Sequence, residues 1–82
     1  MECLPVHGDR IRAARKAQGW TRRQLAAAST VSERVIDNLE RGVSHGTALG
    51  NVRLLADALG VPAAELQAGP LYTVRRGGAV ND

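Results

Sequence analysis

The chain has 82 residues and a formal net charge of +3, which favours one small domain with an anionic partner. A single cysteine, Cys3, excludes an internal disulfide and any metal site built from cysteines alone. Since the sequence contains neither a signal peptide nor a long apolar run, we expect a soluble intracellular protein.

Residues 1–7 have no helical period and contain Pro5, so we interpret them as an N-terminal arm. Leu4 and Val6 offer local packing. The arm lacks the basic residues that a groove-binding arm uses, which favours a structural role.

The first predicted helix runs from Asp9 to Gln18 and ends at Gly19. Arg15 shares the inward face of this helix, and a buried arginine needs a partner because an unpaired buried charge is strongly unfavourable. Glu40 ends a later helix, where its charge opposes the helix dipole and also requires a cation. We therefore predict that Arg15 and Glu40 form a salt bridge.

Residues 22–41 are predicted to form two short helices joined by a turn. Thr21 and Gln24 have the spacing of a capping box that begins the first helix, and Ser32 is a suitable N-cap for the second. The second helix has a buried stripe of Val31, Val35, Ile36 and Leu39. Its outward face carries Glu33, Arg34, Asp37, Asn38 and Arg41.

Two interpretations of that outward face are open. A charged helix face is often only solvated, but two helices around a short turn, the second with Arg and Asn outward, favour a helix that enters a DNA major groove. Arginine can donate two hydrogen bonds to guanine, and asparagine can pair with the edge of adenine.

The remainder of the chain predicts a loop at 43–50, a helix at 51–59 and a last helical turn at 63–67. Pro62 stands at the start of that turn, where a backbone N–H would have no partner within the helix, so its absence does not destabilise the turn. The tail at 70–82 is apolar at its start, which is consistent with a strand, with a surface that covers a partner, or with disorder.

Three blocks of sequence resemble the Cro/CI-type (XRE-like) helix-turn-helix family of phage repressors and small bacterial regulators. They are GDRIRAARKAQGWTRRQLA, VSERVIDNLERG and LLADALGVPAAEL, and the resemblance extends from Gly8 to Gly69. It implies an all-α, compact five-helix, phage-repressor-like DNA-binding domain at 8–69, with the helix-turn-helix at 22–41, an arm at 1–7 and a short C-terminal tail at 70–82.

The resemblance also implies roles for individual residues. Base edges would be read by Glu33, Arg34, Asn38 and Val35. Phosphates would be bound by Arg22, Arg23, Ser32, Arg41, Ser44 and His45. The Arg15–Glu40 salt bridge is a family feature as well, and the dimer interface would comprise Leu66, Leu71, Tyr72 and Val74.

Two residues depart from the family pattern inside the helix-turn-helix. Thr30 stands in the turn where the family usually has Gly, and a β-branched residue is disfavoured at positive φ. Arg22 stands where the family often has Gln, so the phosphate contact is retained but the bracing hydrogen bond of that Gln is not expected.

Our first functional hypothesis is a sequence-specific transcriptional regulator, a repressor, that binds double-stranded DNA as a homodimer. It would be cytoplasmic, and associated with the nucleoid when bound. The alternative is an antitoxin-type module whose tail binds a second protein; a restriction–modification controller is a further variant. We expect no enzymatic activity, cofactor, metal or membrane partner. The sequence has no Cys/His pair at the spacing of a catalytic nucleophile, no Gly-rich phosphate-binding loop and no cluster of carboxylates.

Overall fold

The computed structural model describes residues 2–73 and contains five helices and three short strands in that range. The helices are α1 (Gly8–Ala17), α2 (Arg22–Ser29), α3 (Glu33–Glu40), α4 (Leu49–Leu59) and α5 (Ala63–Leu66). The strands are β1 (Glu2–Pro5), β2 (Gly46–Ala48) and β3 (Tyr72–Thr73). Within the described residues, no helix has the length and apolar character needed to cross a membrane.

The three strands form one antiparallel sheet in the order β2-β1-β3. Leu4 pairs with Thr47 on one side of β1, and Cys3 pairs with Tyr72 on the other. The all-α prediction is therefore only approximate. The strands have two to four residues, too few for an alternating pattern to stand out in the sequence.

The predicted arm at 1–7 is, at residues 2–5, the central strand of this sheet. Leu4 is 3% exposed and Val6 9% exposed, and both belong to the main core cluster. The burial of these residues agrees with a structural role for this segment, although the strand itself was not predicted. Likewise, Tyr72 and Thr73 of the predicted tail pair with β1 and are continuous with the domain.

The predicted loop at 43–50 contains β2 and the first two residues of α4. The helix begins at Leu49 rather than Asn51, whose side-chain Nδ2 donates a 2.9 Å hydrogen bond to Thr47 Oγ1. Gly46 permits the close approach of β2 to β1, because a Cβ at this position would collide with the carbonyl oxygen of Leu4. This glycine is therefore required by packing and not by mobility.

A single apolar core joins all five helices to β1. The apolar residues Val52, Leu55, Ala56 and Leu59 of α4 are buried. The predicted stripe at 31–39 is buried as well, except for Val35, which is half-buried. The cluster comprises Leu4, Val6, Ile11, Leu25, Val31, Ile36, Leu39, Val52, Leu55, Ala56, Leu59 and Leu66.

We predict that Leu4→Ala lowers the free energy of unfolding by about 2–4 kcal/mol, because it leaves a cavity in this core. Urea denaturation followed by circular dichroism measures the change. Leu54→Ala is the matched control, since Leu54 is 43% exposed, and it should change stability by less than about 0.5 kcal/mol. Equal, small effects of the two substitutions would show that β1 does not contribute to the core.

Candidate nucleic-acid interface

Side-chain caps fix the first residues of both α2 and α3. The backbone N–H of Gln24 donates to Thr21 Oγ1 at 3.1 Å, and the backbone N–H of Thr21 donates to Gln24 Oε1 at 2.8 Å. This is the predicted capping box. Ser32 Oγ accepts from the backbone N–H of Val35 at 3.2 Å and caps α3.

The turn between α2 and α3 has the left-handed conformation that the family glycine would adopt, although Thr30 occupies it. Thr30 has φ 64° and ψ 8°, and its backbone N–H donates to Ala26 O at 2.9 Å. This conformation costs a β-branched residue about 1–3 kcal/mol. Buried Ser29 helps to hold the turn: its hydroxyl donates to Leu25 O at 2.7 Å and accepts from the Val31 N–H at 3.2 Å.

The outward face of α3 is most accessible at its N-terminal end. Glu33 and Arg34 are exposed, whereas Val35 and Asn38 are half-buried. Asn38 is also near the end of the helix, where its carbonyl oxygen accepts from the N–H groups of Val43 and Ser44. Of the four predicted base-reading residues, Glu33 and Arg34 therefore have the freest side chains.

Arg15 and Glu40 form the predicted salt bridge behind this face. Arg15 donates from Nε to Glu40 Oε2 at 2.8 Å and from Nη2 to Oε1 at 2.9 Å, while Nη1 donates to the carbonyl oxygen of Trp20 at 2.8 Å. The Glu40 side chain has no exposed surface. The hydrogen bonds to Glu40 raise the pKa of the Arg15 guanidinium, although burial acts in the opposite direction.

Arg22 extends this ion pair to the surface of α3. Its Nε lies 3.3 Å from Glu40 Oε1 and 3.5 Å from Asp37 Oδ1. Arg41 Nη1 lies 3.1 Å from the other carboxylate oxygen of Asp37. Sequence reasoning assigned Arg22 only to phosphate and missed these contacts. The available signal was the spacing of Glu33, Asp37 and Glu40, which lie on one side of α3.

A shallow surface depression lies where the start of α2 meets α3, lined by Arg22, Glu33, Arg34 and Asp37. It brings together two predicted base-reading residues and one predicted phosphate-binding residue. The depression presents a polar surface that contains two positive and two negative side chains. Such a surface offers donors and acceptors for hydrogen bonds with base edges.

The other predicted phosphate-binding residues lie at the start of α2, at the two ends of α3 and in the segment that follows it. Arg23 is exposed in the first turn of α2, and His45 is exposed after α3. Ser44 is half-buried, and the hydroxyl of Ser32 is used to cap α3. Arg41 is exposed at the C-terminal end of α3.

The predicted dimer interface divides into three cases. Leu66 is 1% exposed inside the chain's own core, so it cannot contribute a contact surface, and this prediction is wrong. Leu71 and Tyr72 are 47% and 38% exposed. Burial raises the pKa of Tyr72, and the neighbouring Cys3 acts in the same direction. Val74 lies outside the described residues.

Comparison with known proteins gives one family and two solved structures. A family model described as helix-turn-helix matches residues 11–66. The restriction-modification controller protein C.AhdI from Aeromonas hydrophila is 32% identical with a TM-score of 0.66, over 72% of this chain and 88% of that chain. The hypothetical transcription factor NHTF from Neisseria is 29% identical with a TM-score of 0.67, over 78% and 81%. No curated protein matches the chain significantly.

We predict that Glu40→Gln lowers the free energy of unfolding by about 3 kcal/mol, because it leaves the buried Arg15 without its counter-charge. Thermal and urea unfolding would measure the loss. Glu65→Gln, at an exposed position of α5, makes the same chemical change and should cost less than about 0.5 kcal/mol. If Glu40→Gln lowered the stability no more than Glu65→Gln, the buried Arg15 would not require Glu40 as its counter-charge.

Proposed function

Because the chain belongs to the Cro/CI-type helix-turn-helix family of DNA-binding transcriptional regulators, we propose that it is a repressor that binds an operator as a homodimer and reads the major groove with α3. The observation that carries this proposal is that α3 has one buried apolar face and one exposed charged face. Ile36 and Leu39 are buried against the core, while Glu33 and Arg34 project from the opposite side near the capped helix start.

The chemistry of α3 suits the reading of base edges. Arg34 matches O6 and N7 of guanine, Glu33 can accept from N4 of cytosine, and Asn38 can pair with adenine. Val35, which is half-buried, would contact a thymine methyl group. The more accessible positions of Glu33 and Arg34 give these two residues the larger share of specificity.

Phosphate contacts would set the register of α3 in the groove. Arg23 is exposed in the first turn of α2, and its neighbour Arg22 flanks the depression beside α3. Ser32, Arg41, Ser44 and His45 would contribute the remaining contacts. Such contacts provide salt-dependent affinity and orientation but carry no sequence information.

A homodimer would place two copies of α3 on half-sites roughly 34 Å apart along one face of the duplex. Leu71 and Tyr72 support this proposal, because they are large, apolar and exposed on and beside the edge strand β3. An antitoxin-type tail that orders only on another protein has less support, since Tyr72 and Thr73 pair with β1 of the same chain.

Control of a restriction–modification system is a second candidate function. The specific support is the 32% identity to C.AhdI over 88% of that controller protein. This candidate keeps the same DNA-binding mechanism and differs in the genes under control. A selected operator that lies upstream of restriction and modification genes would favour it over a general repressor.

Selection of binding sites from a random duplex pool tests the main proposal. We expect enrichment of a two-fold symmetric site, with affinity at physiological salt at least about a thousandfold above that for scrambled duplex. A promoter fused to the selected site should then be repressed by the protein. Weak binding that is equal on all sequences would refute the proposal and favour a protein-binding module.

We predict that Arg34→Ala costs about 1–3 kcal/mol of binding free energy on the selected site and relaxes the preference at one base pair. Titration of matched and single-substituted duplexes measures both effects. Arg23→Ala is the contrasting variant: as a phosphate contact it should weaken binding equally on every duplex. If Arg34→Ala also gave a uniform loss, Arg34 would be reassigned to phosphate.

A further inference from the structure

Asp37 lies between two arginines that come from different helices. Its Oδ1 is 3.5 Å from Nε of Arg22 at the start of α2, and its Oδ2 is 3.1 Å from Nη1 of Arg41 at the end of α3. Each carboxylate oxygen therefore has its own guanidinium. The side chain of Asp37 is 31% exposed, so this arrangement lies at the surface beside the depression.

The charges of this cluster do not cancel. Glu40 is compensated mainly by Arg15, with contacts of 2.8 and 2.9 Å, although Arg22 also approaches it at 3.3 Å. The remaining trio of Arg22, Asp37 and Arg41 has two positive charges and one negative charge, and Arg34 and Glu33 beside it add one charge of each sign. This surface group has a net charge of +1. It therefore keeps a net attraction for an anion.

Both arginines keep donors for such an anion. Among the hydrogen bonds of the described residues, Arg22 donates only from Nε and Arg41 only from Nη1. The Nη1 and Nη2 groups of Arg22 and the Nε and Nη2 groups of Arg41 are unused there. Guanidinium groups with several free N–H donors match the oxygens of a phosphate group.

We propose that Asp37 is a positioning residue that gathers Arg22 and Arg41 into one phosphate clamp, named here the Asp37 clamp. The inference rests on the proposed function and deepens it by naming how phosphate is held. Without Asp37, Arg41 would lose its carboxylate partner, and Arg22 would keep only its contact with Glu40, so the two cationic side chains would repel each other with no anion between them. With it, they present their remaining donors from the two ends of the helix-turn-helix.

This role reverses the change in DNA affinity that is expected when Asp37 is neutralised. A carboxylate close to DNA repels phosphate, so electrostatics alone predicts that neutralising Asp37 strengthens binding. The Asp37 clamp predicts weaker binding, because that carboxylate positions Arg41 and, together with Glu40, positions Arg22. The two accounts therefore differ in direction and not only in magnitude.

The test is Asp37→Asn in the full chain, with affinity for the selected duplex measured over a range of salt concentrations. We expect affinity to fall about three- to tenfold, and the slope of log affinity against log salt to decrease in magnitude by about one per protomer. The matched control is Asp57→Asn, an exposed carboxylate on α4 that makes the same change in net charge. It should cause no fall in affinity and no decrease in slope.

A double-mutant cycle with Arg41→Gln adds a measurement that a general effect on folding would not mimic. If Asp37 acts through Arg41, the two substitutions together should cost clearly less than the sum of their separate losses. Circular dichroism would establish that each variant is folded before titration.

Increased affinity of Asp37→Asn, an unchanged salt slope or fully additive losses would overturn the Asp37 clamp while leaving the DNA-binding function intact. Failure of the unaltered protein to select any duplex would instead refute the proposed function itself.

Discussion

The ion pair between Arg15 and Glu40 is the contact on which the position of α3 depends. It joins α1 to the last residue of α3, and three hydrogen bonds give each guanidinium nitrogen of buried Arg15 an acceptor. A buried pair of this kind adds little net stability compared with apolar residues of the same volume, but a single unmatched partner is strongly unfavourable. We infer that it acts mainly by excluding other orientations of α3. Gly8 reinforces the same junction, since a Cβ there would collide with the carbonyl oxygen of Leu39.

From this buried pair, electrostatic contacts continue outward to the surface that we assign to DNA. Glu40 is shared by Arg15 and Arg22, and Asp37 is shared by Arg22 and Arg41. The arginine side chains thus become progressively more exposed, from 8% for Arg15 through 36% for Arg22 to 60% for Arg41. Exposed pairs contribute little stability individually, so their value lies in the orientation of side chains on a face that must match a ligand.

Local signals predicted the helices and much of the candidate site. The Thr21 capping box, the Ser32 cap and the unfavourable place of Glu40 at a helix end each have a physical reason that is visible within a few residues. The sheet was missed because its partners lie far apart in the sequence and each strand is very short. The contacts of Arg22 with Asp37 and Glu40 were missed for a related reason. Both carboxylates lie on another helix, and their distances from Arg22 follow only from the packing of α2 against α3.

The position of β1 at the centre of the sheet also constrains how the chain can fold during its synthesis. Glu2 and Cys3 are synthesised before all five helices, yet their partners Thr73 and Tyr72 are synthesised after them. Local helical contacts form rapidly, whereas contacts between distant residues must wait for loop closure. Leu4 and Val6 therefore stay without their final core contacts until most of the domain has been made. Pairing of β1 with β3 therefore requires that the whole helical part of the domain has already been synthesised.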